Sequence, residues 1–356
     1  MRRSLLPLFL LTLGACSQGE TAGPLAEDLI FAAVEEDGAL AVLDGKTGAL
    51  LRMVDLSGSA HGGSVRFDVH NVQAGPDGRT VWLTAMPADE GGGHSGGPMP
   101  EELIGVDILE LSVTSRIELG SDLHAAHVVV ADTKAYVTAN EADAVVVVDL
   151  REKKVLRSIA LPAGAAPHGA RVTSDGRTLV VAGMGGGSLE VIETVTGSAA
   201  SYDLPGRAVQ AALLPDGGVA FATIYDTRQV ARLDLATREL ALFDLPIGSA
   251  GPVQIYPAPD GRSLWVADQG MLEGQAAGNK LIQLDAATGA VLQVIGVDPA
   301  PHGVVLNEDG SRVWTTTLVN GTVQSIDTVS GAVLSTTPVG NKPNGISCRH
   351  AGGVMP

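Results

Sequence analysis

The chain has 356 residues, with 23 lysines and arginines against 40 aspartates and glutamates, and a formal net charge of −17. That surplus of acid excludes nucleic acid as a partner, because phosphate contact needs a basic face; it also argues against adhesion to anionic lipid headgroups. Only 3% of the residues are aromatic and only two are cysteines, so no disulfide framework is expected and the core must come from Val, Leu, Ile and Ala.

At the N-terminus Arg2 and Arg3 precede a short apolar run, Leu5 to Leu13. It is too short to span a bilayer and reads as an export signal over residues 1–15. The run ends in Leu13-Gly14-Ala15-Cys16, which resembles the lipobox of bacterial lipoproteins. The resemblance implies cleavage before Cys16 and lipidation of that residue through a thioether and an acylated amine. Several acyl chains anchor stably where one is marginal. Ser17 at the next position resembles the outer-membrane sorting pattern of a Gram-negative host, so the expected address is the cell envelope. Cleavage removes two basic residues and no acid, leaving 21 against 40 and a charge of −19. Residues 16–27 read as the lipidated cysteine and a flexible tether.

Beyond the tether, seven acidic residues each close a short apolar run: Asp44, Asp107, Asp149, Glu193, Asp234, Asp285 and Asp327. The gaps are 63, 42, 44, 41, 51 and 42 residues. Several short strands at a period of about 47 residues are the signature of a β-propeller. The acids are expected to accept backbone N–H groups in the turn that follows each of them. The clearest unit starts at Pro301-His302-Gly303 and has four short strands parted by Asp309-Gly310, Asn320-Gly321 and Ser330-Gly331; Gly suits such turns because it accepts positive φ. The same order recurs from His70, His124, His168, Val209 and Val253. Residues 29–56 supply only three strands, and the missing innermost one reappears at 342–347. The expected architecture is therefore all-β, a seven-bladed β-propeller over residues 28–350 with four-stranded blades. The C-terminal strand closes the first blade, which removes the exposed sheet edge. Residues 351–356 form a tail, and the protein is expected to be a monomer.

Pro167-His168-Gly169 with Ser174-Asp175-Gly176, and Pro301-His302-Gly303 with Glu308-Asp309-Gly310, resemble the YVTN family of seven-bladed propellers. The resemblance covers residues 28–350 and implies a fold and an exported or surface location. It implies no single activity, since the family includes binding proteins, surface proteins and lactonase-like members.

The repeat puts His70, His124, His168 and His302 at one register, with Val209, Val253 and Asn344 in the other blades. They are expected at one mouth of the central channel, with His127 just inside and His94 on an insertion above. Such insertions, residues 86–102 and 268–279, tend to mark a binding face. Period-two alternation places Gln73, Arg171, Gln210 and Gln254 along the channel. Imidazoles around one opening suit zinc or copper, and Met86 and Met184 at a shared register favour copper. Affinity is expected to fall as pH drops through about 6.5, where free imidazole protonates. The equal alternative is structural: the histidines cap turns or bond neighbouring blades through their nitrogens. Gly93-His94-Ser95-Gly96-Gly97 fits a nucleophile elbow but lacks the strand-to-helix turn that chemistry needs. The first reading is a lipid-anchored extracytoplasmic binding protein for a transition metal or a partner protein. A lactonase-type hydrolase at the same mouth, or an interaction scaffold without metal, are the others.

Overall fold

A computed structural model describes residues 28–60, 63–88 and 99–349. These residues form seven four-stranded antiparallel sheets arranged around a central channel. Cys16, His94 and the elbow-like segment lie outside the described residues. The innermost strands, from the first blade to the seventh, are Pro343–Arg349, Phe67–Ala74, Ala125–Ala131, Pro167–Val172, Ala208–Leu213, Pro252–Pro257 and Pro301–Leu306. The first blade closes as expected: Leu29–Val34 pairs antiparallel with the C-terminal strand, Leu29 opposite Arg349 and Val34 opposite Pro343. A two-stranded hairpin, Gly58–Ala60 with Gly63–Val65, bridges the first two blades and was not foreseen in the repeat pattern.

Each blade shares its apolar faces with its neighbours. Leu29, Phe31 and Leu40 of the first blade pack with Val69, Val81 and Ile104 of the second, all fully or almost fully buried. The aliphatic core carries one aromatic layer that composition alone did not suggest. Phe31, Trp82, Tyr136, Phe221, Trp265 and Trp314 occupy one register of the second strands in six blades, each opposite the same position of the innermost strand.

All seven strand-end acids do what turn chemistry predicts. Asp44 accepts from the Lys46 and Thr47 amides at 2.9 and 2.6 Å, and Asp327 from Val329 and Ser330 at 3.2 and 2.7 Å. Asp107, Asp149, Glu193, Asp234 and Asp285 repeat the pattern. A second device stitches the blades together around the channel. Thr84, Thr138, Thr223 and Thr316 each accept an N–H from their own innermost strand and donate to a carbonyl of the next: Ala126, His168, Val253 and Asn344 respectively. The other three blades have Ala33, Ala182 and Ala267 at that register.

Candidate metal centre in the channel

Every innermost strand that starts a blade breaks register at the same point, as between Pro167 and Ala170 or Pro301 and Val304. The two residues inside that irregularity stand at the channel mouth. In four blades the first of the two is His70, His168, His302 or Asn344, as the repeat implied. In the third blade it is Ala126, because the break falls between Ala125 and Val128. His124 therefore lies two residues ahead of the histidine register, and the sequence alignment of it with His168 is corrected. It has a left-handed φ of 48°, as do Ala166, Ala300 and Lys342 at the same place in their blades. Glu101 holds that strained backbone, accepting from the amides of Leu123, His124 and Ala125 at 2.8, 2.8 and 2.6 Å. His127 in turn takes the second place of the break, where Asn71, Gln210 and Gln254 stand in other blades.

The rings converge across the channel. His70 belongs to the second blade and His168 to the fourth, yet their centroids are 5.5 Å apart. His127 lies 5.7 Å from His70 and 4.8 Å from His168. His302 of the seventh blade and His124 stand farther out, 6.4 and 6.3 Å from His70. The nitrogens of His70, His127 and His168 all lie within 4.8 Å of one another, whereas the other two histidines stay outside that group of three.

Hydrogen bonds set the tautomers. His168 Nδ1 is 2.9 Å from the Val209 carbonyl, which can only accept, so the proton is on Nδ1 and Nε2 carries the lone pair. His302 Nδ1 bonds the Gln269 amide oxygen, with the same consequence. His70 Nδ1 faces Asn344 Nδ2 at 3.1 Å and Glu35 Oε2 at 3.5 Å. Glu35 is further held by Lys342 at 2.8 Å and by Asn344. Burial alone would raise its pKa, but His70, Lys342 and Asn344 outweigh burial and keep the carboxyl well below its usual range. A carbonyl, an amide and a carboxylate behind imidazoles are the outer partners that orient histidines for an ion. His127 differs: it is only 1% exposed, and neither ring nitrogen has a hydrogen-bond partner among the described residues.

Burial also governs protonation. It pulls His168 and His302 down to about 3, with repulsion from His70 adding to it in both. His127 is lowered well below the usual imidazole range by burial first, then by His168, His70 and Arg171. His124 is lowered by burial and His70 against the opposing pull of Glu101. His127, His168 and His302 are thus neutral, the form that can bind metal, well below pH 6.5.

The sequence did not single out Glu35 or Gln269, and it named Asn344 only for its register. A signal was present, since Met86 and Met184, noticed at one register, share it with both: each stands two residues after the stitching position of its second strand. Deeper in the channel, Arg171 of the fourth blade lies over the Tyr256 ring of the sixth at 5.8 Å, so both reach across the channel. Gln73 shares the register of Arg171, while Gln210 and Gln254 share that of His127. Gln210 is fully buried, and its side chain lies where a Cβ on Gly169 would be.

These features define a seven-bladed β-propeller with a histidine cluster in its central channel. No protein-family model matches the sequence, and no curated protein does. Solved structures share the fold. One is hydrazine synthase of Kuenenia stuttgartiensis, at 19% identity and a TM-score of 0.62 over 82% of this chain and 95% of that one. A functionally unknown protein of Desulfotomaculum acetoxidans has 14% identity and a TM-score of 0.70 over 90% and 99%. A putative 6-phosphogluconolactonase of Bacteroides fragilis has 12% identity and a TM-score of 0.65 over 90% and 98%. At such identities the likeness is one of fold alone.

Proposed function

We propose that this propeller is a lipid-anchored, extracytoplasmic metal-binding protein, holding one zinc or copper ion on His70, His127 and His168. The observation that carries the reading is His127. A buried imidazole with no partner at either nitrogen costs roughly 1–3 kcal/mol, and the nitrogens of two other histidines lie within 4.8 Å of it. Bonds of about 2.0 Å to a tetrahedral ion place ligand nitrogens near 3.3 Å apart, so the rings would close in by about an ångström. Glu35 and the Val209 carbonyl would then orient His70 and His168 from behind. Anchoring rests on the sequence Leu13-Gly14-Ala15-Cys16. A cleft of about 430 Å³ lined by Glu36, Met271, Leu318, Asn341 and Lys342 opens on the same face.

Calorimetric titration of resin-stripped protein at pH 7 tests this. We expect near one equivalent of zinc or copper, weakened at least a hundredfold by His127→Ala or His168→Ala. His124→Ala should change affinity less than threefold. Absence of saturable binding of either metal returns the histidines to a structural role.

A further inference from the structure

Below the histidines the channel holds a second set of polar groups, and its centre is a cation. Arg171 forms no ion pair: among the described residues no carboxylate lies within 4.0 Å of its guanidinium. Its Nη1 donates to the Ala170 carbonyl at 2.9 Å, and its Nε is buried without a partner. Burial pulls the guanidinium pKa down, and the neighbouring Tyr256 opposes that. A guanidinium stays charged in proteins, so a half-buried cation, with the Tyr256 ring and the Ala170 carbonyl beside it but no carboxylate partner, sits in a chain whose net charge is −17. Such a charge is unfavourable unless something compensates it.

The groups around it are of one kind. Gln210 is 0% exposed with neither Nε2 nor Oε1 hydrogen-bonded, and Gln254 is 5% exposed with Nε2 in the same condition. Both stand on the channel register one step above Arg171, in the fifth and sixth blades. A cavity of about 100 Å³ lined by Gln73, Val129, Arg171 and Thr173, with Asp132 at its exposed rim, opens beside the guanidinium at the channel end opposite the histidines.

We infer that this end of the channel binds a small carboxylate, with the Arg171 guanidinium paired to it and the Gln210 and Gln254 amides donating to its oxygens. The charge balance favours a monoanion, since one guanidinium neutralises one negative charge. The planar fork of arginine matches the two oxygens of a carboxylate. The inference does not depend on the metal reading.

The test is titration of resin-stripped, metal-free protein with formate and acetate, with sodium chloride at matched ionic strength as comparator. We expect saturable carboxylate binding that Arg171→Met weakens at least tenfold and that Arg177→Met, on the exposed neighbouring turn, leaves unchanged. Without carboxylate, Arg171→Met should melt at or above the wild-type temperature, because it removes an uncompensated charge. A lower melting temperature there, or an equal response to chloride, overturns the inference. Zinc titration of Arg171→Met separates the two proposals: intact metal binding beside lost carboxylate binding supports both. Carboxylate binding in a protein that takes no metal leaves this one standing alone.

Discussion

A threonine hydroxyl that bridges two blades satisfies an N–H on one side and a carbonyl on the other, in a place water does not reach. Thr138 accepts from His127 at 2.9 Å and donates to His168 at 2.6 Å, so the stitch and the metal cluster share their backbone. Thr138→Val keeps the shape and orphans both groups. It should lower stability by about 1–3 kcal/mol in urea unfolding, and a loss below about 0.3 kcal/mol would deny the hydroxyl its role. The buried imidazoles make a separate statement about acid. His168 and His302 sit near pH 3 when folded, against 6.5 in the open chain. The unfolded chain therefore binds protons first, and stability is full above pH 6.5 and lost as pH falls towards 3. One such ring accounts for roughly 3 kcal/mol by pH 4, at about 1.4 kcal/mol per pKa unit. Urea midpoints of the metal-free protein should fall steeply between pH 6.5 and 4, and less steeply in His302→Gln. A flat profile would mean that these rings are not buried as described.

The strands that build the channel depend on one another for edges. Deleting residues 341–356 removes the strand Pro343–Arg349 and leaves Leu29–Val34 without its partner. Lys342 and Asn344 go with it, and with them two of the groups holding Glu35. Proteolysis and circular dichroism of this truncation should show broad loss of order; melting like the full chain would refute the closure. Blade number, closure and the strand-end acids were legible in the sequence because each follows from local turn chemistry repeated at a period. The place of His124 was not. The register break of the innermost strand inserts no recognisable residue, so counting along the third blade cannot tell Ala126 from His124 as the partner of His168. Glu35 and Gln269 were invisible for another reason. Each acts on a histidine of the following blade, and no periodicity within one blade reports a contact made across two. The aromatic layer was hidden by its scarcity, six residues at one register in a chain that is 3% aromatic.

For the molecule as a whole, charge and anchorage belong together. An acidic body is repelled by anionic headgroups, so the proposed lipid on Cys16 would be its hold on a membrane; among the described residues no helix is long and apolar enough to cross one. Cys16→Ser should abolish lipid labelling and release a folded protein into the soluble fraction, while sedimentation with membranes after a high-salt wash would contradict the anchor. The ring closure has a consequence for the order of events during synthesis. Glu35 and Asn344 meet although 309 positions separate them along the chain, so their contact closes almost the longest loop the polypeptide can make, and such contacts form late. Until the final residues have left the ribosome the ring is a crescent, and His70 lacks the group that orients it. The mouth of the channel is thus the last piece of the ring to be completed, and the proposed ion site reaches its finished geometry only when the strand Pro343–Arg349 has paired.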